Sequence, residues 1–152
     1  MKKVVLAIVA AVLMLALAGA AIAASPHWYK PQSPTNKQMP GNECSTTAYG
    51  PEFYYNGKSW TLRYGGGVSC VGGTGQKALR IFAQIRGRDQ KTWFTLDGSL
   101  KETPTVTSNP VRLTWDRPIA AGHVYRVAAH GFVFRNGLAL ESLALSPGWA
   151  PK

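Results

Sequence analysis

Three histidines, seven carboxylates and two cysteines are all that this 152-residue chain offers for acid–base, nucleophilic or metal chemistry. Catalysis needs such groups to converge, with proton affinities tuned to the task. His130 or His123 with Asp116 could activate a hydroxyl, but no Gly-x-Ser-x-Gly elbow exists to present one. Glycoside hydrolysis requires two carboxylates facing across a cleft. Glu43, Glu52, Asp89, Asp97, Glu102, Asp116 and Glu141 mostly sit beside turn glycines or prolines, where solvated turn and cap roles are the simpler reading. His27, His123 and His130 lack the close spacing of a metal site. Gly72-Gly73-Thr74-Gly75-Gln76-Lys77 has the outline of a phosphate loop, yet it lacks the Gly-Lys-Ser/Thr ending and no helix-forming run follows. The expectation is a protein that is not an enzyme and holds no metal or cofactor.

What the chain does have in excess is positive charge. Lysine and arginine outnumber the acids 17 to 7, and without Lys2 and Lys3 the net charge is +8. A protein this basic is drawn to anionic polymers, although the charge could equally serve solubility alone. Two stretches show how a binding face could arise. In 78–86, Leu79, Ile81, Ala83 and Ile85 alternate with Arg80, Phe82, Gln84 and Arg86. In 125–134, Tyr125, Val127, Ala129 and Val133 alternate with Arg126, Ala128, His130, Phe132 and Phe134. If both strands share a sheet, Arg80, Phe82, Arg86, Arg126 and His130 form a basic and aromatic row, the candidate ligand-binding residues. Guanidinium forks grip phosphate and carboxylate while ring faces stack on sugars or bases. The competing reading buries Phe132 and Phe134 beneath the N-terminal arm and leaves each arginine snorkelling over the sheet.

The elements that must position these residues begin after a leader. Met1-Lys2-Lys3, an apolar run over 4–19 and Ala21-Ile22-Ala23 have the order of a secretory signal peptide, expected to end at residue 23. No membrane-spanning segment is expected after cleavage. Residues 24–43 carry Pro26, Pro31, Pro34 and Pro40, which forbid a helix or a central strand and predict an extended arm, with His27-Trp28-Tyr29 docking it on the body. Residues 44–152 form one domain. Its only cysteines, Cys44 and Cys70, are expected to form a disulfide, as befits an exported chain. They bracket a hairpin over 52–70, expected to turn on a two-residue type I′ loop at Asn56-Gly57. Further strands are expected at 78–86, 92–96 and 111–115, with a weaker run at 100–107. A second hairpin is expected to turn at Asn136-Gly137.

One stretch resembles a known family. An apolar residue, a corner holding Gly122, then Tyr125 and alternating valines look like the tyrosine corner of immunoglobulin-like and fibronectin type III-like sandwiches. The likeness covers 110–146 and implies that the Tyr125 hydroxyl bonds backbone across the corner. It departs from the family in having no cysteine pair joining the two sheets, because Cys44 and Cys70 both lie too early. It carries no activity. The fold expected is all-β, an antiparallel, immunoglobulin-like β-sandwich of about seven to nine short strands with one disulfide. The function expected is a secreted or envelope-associated binding module for an anionic polymer. The alternative is a secreted protein-binding or inhibitor module acting through the Gly-rich loop or the Asn56-Gly57 tip, and a small hydrolase ranks third.

Overall fold

The computed structural model describes residues 27–29, 33–73 and 75–151, so the expected leader lies outside the described residues. Ten strands form two antiparallel sheets. Sheet A holds β1 (His27–Tyr29), β2 (Thr35–Gln38), β3 (Cys44–Tyr55), β4 (Trp60–Cys70) and β8 (Val111–Ile119); β1 and β2 both pair with β3, and β4 lies between β3 and β8. Sheet B runs β10 (Leu138–Leu145), β9 (His123–Arg135), β5 (Gln76–Gly87), with β6 (Phe94–Thr95) and β7 (Lys101–Glu102) both on the far edge of β5. The architecture is the expected all-β sandwich with one disulfide. Its principal strands are longer than expected, however, reaching 13 residues in β9.

Alternation of side chains builds the interior. Leu62, Tyr64 and Val68 from β4 meet Leu79, Ile81 and Ala83 from β5 and Tyr125, Val127, Ala129 and Val133 from β9, all buried. Two glycines let the layers close. A Cβ at Gly66 would stand 2.7 Å from that of Ala129, and one at Gly131 only 2.2 Å from the Thr46 hydroxyl. Cys44 faces Cys70 directly in the β3–β4 register and the two are bridged. The Tyr125 hydroxyl donates to the Ala120 carbonyl at 2.7 Å, as the resemblance implied. The C-terminal tail is held by a reciprocal backbone pair between Tyr125 and Trp149 at 2.7 and 2.8 Å.

Three local expectations need correction. Asn56-Gly57 is not a two-residue type I′ turn: Tyr55 pairs with Trp60, which leaves a four-residue loop, and only Gly57 has positive φ. The reason is the Asn56 side chain, whose Oδ1 accepts from the amides of Lys58 and Ser59 at 2.9 and 2.8 Å and so closes the loop itself. At the second hairpin Asn136 and Gly137 both take positive φ and join Arg135 to Leu138 directly, the geometry the dipeptide favours. The arm is also more integrated than expected. Thr35–Gln38 pairs with Ser45 to Ala48, and Met39 is buried in the core. Finally, the strand expected over 92–96 is reduced to Phe94–Thr95, and the run 100–107 to Lys101–Glu102 plus a bridge from Val106 to Lys77.

Candidate functional site

β5 and β9 pair along their whole length, so the two alternating rows do lie side by side on the outer face of sheet B. Arg80 stands opposite His130, Phe82 opposite Ala128, and Gln84 opposite Arg126. The described parts of the arm pair with β3 on sheet A, so Phe132 and Phe134 are not roofed by them. Phe132 is half-buried among its neighbours and Phe134 is 40% exposed.

The face divides into two halves on either side of Phe82. In the first, Arg80 lies over the Phe132 ring at 5.2 Å, and its Nε donates to Glu102 at 2.6 Å. His130 stacks against Phe132 with centroids 4.2 Å apart, and its Nε2 contacts Glu141 at 3.1 Å. Each cationic or protonatable group here therefore has its own carboxylate. Beside them Ala78, Pro104, Phe132 and Phe134 wall a hollow of about 330 Å³.

In the second half Arg86 and Arg126 converge on one indole, with their guanidinium carbons 5.0 and 4.4 Å from the Trp93 centroid. Neither has a carboxylate within ion-pair distance among the described residues. Arg126 Nε donates to Gln84 Oε1 at 2.6 Å, which fixes the fork without neutralising it. Arg86 Nη1 donates to the carbonyls of Gly87, Arg88 and Gln90, so this arginine also pins the turn after β5. Burial, and then the positive charge of Arg86, push the Arg126 guanidinium below its ordinary proton affinity. Trp93 owes its place to Gly148, since a Cβ there would lie 2.7 Å from the indole and 3.0 Å from Val124.

Trp93 was invisible as a site residue in the sequence. It falls in a run that reads as an ordinary strand, and the only signal was an indole within a segment also carrying Arg86, Arg88 and Lys91. Glu102 and Glu141, read as turn residues, prove to be the carboxylates that divide the face, Glu102 paired with Arg80 and Glu141 in contact with His130.

The glycine-rich stretch behaves opposite to a phosphate loop. Lys77 is fully buried, and its Nζ donates to the carbonyls of Gly73 and Gly75 at 3.1 and 3.0 Å. The loop turns carbonyls, not amides, toward the charge it holds. On the outer face of sheet A, Arg63 and Asp116 form a two-point pair at 2.8 Å, and the hydrogen bond to Asp116 raises the proton affinity of Arg63. Among the described residues no cluster of three or more His, Cys, Asp or Glu could hold a metal ion. Comparison with protein-family models, curated proteins and solved structures finds no match to this chain.

Proposed function

We propose that this is an exported, non-catalytic sandwich that binds an anionic polymer of the cell envelope or its surroundings through the outer face of sheet B. The observation that carries the reading is the Arg86–Trp93–Arg126 cluster: two guanidiniums held on one indole, with no carboxylate partner among the described residues. Like charges are not gathered at a surface for stability, because their repulsion opposes folding unless an anion arrives. An arginine held by Trp93 and Gln84 has also lost much of its conformational freedom before a ligand binds.

Export is supported by the Cys44–Cys70 bridge and by the expected leader; no helix among the described residues is long and apolar enough to cross a membrane. An immunoglobulin-like classification is supported by the strand order, β3-β4-β8 against β10-β9-β5, which corresponds to A-B-E against G-F-C, and by the Tyr125 corner.

The test is retention of the mature protein on isolated envelopes and on immobilised polyphosphate across a salt series. Affinity should fall steadily with salt, and Arg126→Gln should weaken it about tenfold while flattening the salt slope by about one. Retention that ignores salt, or that Arg126→Gln leaves unchanged, overturns this reading and favours a protein partner.

A further inference from the structure

The two sheets do not guard their edges alike. An open edge strand invites pairing with another chain, and natural sheets blunt it with shortness, charge or proline. On sheet A, β1 and β2 are only three and four residues long, with Lys37 inside β2 and Pro34 just before it. On the opposite side of that sheet β8 carries Arg112, Asp116, Arg117 and Pro118. On sheet B, β6 and β7 have two residues each. β10 has none of these devices. It is eight residues long, LALESLAL, with Glu141 its one charge and no proline, and among the described residues it pairs only with β9. β2 crosses on its inner side, where the Lys37 carbonyl accepts from the Ser142 hydroxyl at 3.2 Å, but the two strands do not pair. Leu138 and Leu143 are 67% and 44% exposed on this edge.

The strand also reads nearly the same in both directions, so it is suited to pair antiparallel with itself. A two-fold axis relating two such edges stands perpendicular to the sheet, and residues brought opposite must therefore share a face. The two registers that overlap almost all of β10 are centred on Glu141 or on Ser142. The first sets a carboxylate against its own copy, which opposes pairing. The second sets Ser142 against Ser142, Leu140 against Ala144, Ala139 against Leu145 and Glu141 against Leu143. Within each copy Leu140 already faces Val133 and Ala144 faces Ala129, so the inner apolar row would run unbroken through the junction. We propose that β10 pairs in this register with β10 of a second copy, joining two sheets B into one. β10 brings no cation to the junction, but without Lys2 and Lys3 each copy carries +8, so the copies repel at long range and salt favours pairing. The dimer does not rest on polymer binding. Where both hold, the perpendicular axis sets the two Trp93 clusters on the same side of the joined sheet.

Analytical ultracentrifugation of the mature protein tests this from about 5 to about 500 μM, the range in which small interfaces associate. The mass should double across the series, and salt at about 0.5 M should tighten the dimer relative to about 0.05 M. Polymer retention should move the opposite way with salt, so failure of either reading leaves the other standing. Leu143→Glu, at an exposed position, should weaken the dimer about tenfold or more because it faces Glu141 of the second copy. Leu143→Lys should keep it, since the same carboxylate then meets an ammonium. Hydrogen exchange of the unsubstituted protein needs no variant: amides within 138–145 should slow about tenfold with concentration, while those of β8 do not. A monomer throughout the series overturns the proposal. So does a dimer that Leu143→Glu leaves intact, one that Leu143→Lys weakens equally, or slowed exchange at β8 in place of β10.

Discussion

The two halves of the outer face of sheet B are made of nearly the same parts and end in opposite electrostatic states. Each sets arginine on an aromatic ring: Arg80 of β5 on Phe132 of β9, and Arg86 of β5 with Arg126 of β9 on Trp93, in the connection just before β6. Around Phe132 the cation is met by Glu102, 2.6 Å from Arg80, and the imidazole of His130 by Glu141. Around Trp93 the partner is the neutral Gln84, and the second cation is another arginine. Counting charges along the chain would treat the two alike. What separates them is which edge element lies alongside. β7 brings Glu102 beside Arg80, while β6 brings Thr95 beside Gln84. A stretch of only two residues thus decides whether an arginine is a surface ion pair of little consequence or a cation with no carboxylate partner among the described residues.

The largest effect that would test this contrast comes from removing the rings. Trp93→Ala should lower stability by about 2 kcal/mol, a drop of roughly 8 °C in Tm, because the indole and Val124 close together over Gly148. Polyphosphate affinity should fall well beyond tenfold, since both guanidiniums lose their common support. Phe132→Ala should cost about half as much stability and barely change the affinity. Equal losses of affinity from the two substitutions, measured by thermal melts and retention side by side, would erase the distinction between the halves.

How much of this was legible beforehand follows from the range of each interaction. The alternation of Leu79, Ile81 and Ala83 against Arg80, Phe82 and Gln84 is a local property, and the structure buries the first set and turns the second outward. Tyr125 and the Cys44–Cys70 bridge were legible for the same reason, each belonging to a compact pattern with one geometric solution. The pairing of Arg80 with Glu102 was not, since it depends on how a weak run near Pro104 returns to the sheet 22 positions later. Nor was the placing of Arg117 opposite Leu62, because the strand expected over 111–115 stopped short of it, whereas β8 runs on to Ile119. At Asn56-Gly57 the side chain competed with the backbone for the turn, and composition alone cannot rank those two.

A smaller effect separates the halves by pH. Arg126 is held below its ordinary proton affinity first by burial and then by Arg86, and both causes act on any cation placed there. The ammonium introduced by Arg126→Lys should therefore titrate below the usual lysine value of about 10.4. A lowered value means charge is present at low pH and lost as pH rises, so polyphosphate retention of this variant should drop about fivefold from about pH 7 to pH 9.5. Arg80→Lys, with Glu102 beside it, should hold its charge and show no such drop. Identical pH profiles for the two variants would mean that the halves share one electrostatic environment.

The smallest effect is also the most direct conversion of one half into the other. Glu102→Gln removes the counter-ion of Arg80 and leaves its stacking on Phe132 in place. Both side chains of that pair are about half exposed, at 52% and 48%, so breaking it should change stability by less than about 0.5 kcal/mol. The freed guanidinium would stand on the same face as Arg126, four positions from Gln84 along β5. A polymer already held at Trp93 could then reach it, raising affinity about threefold and steepening the salt slope by about one. The paired measurement is that slope in the Arg126→Gln background. If the gain persists there at full size, Arg80 captures the polymer without help and the Trp93 end is not the anchor. If it disappears, the polymer is anchored at Trp93 and Arg80 only extends its path.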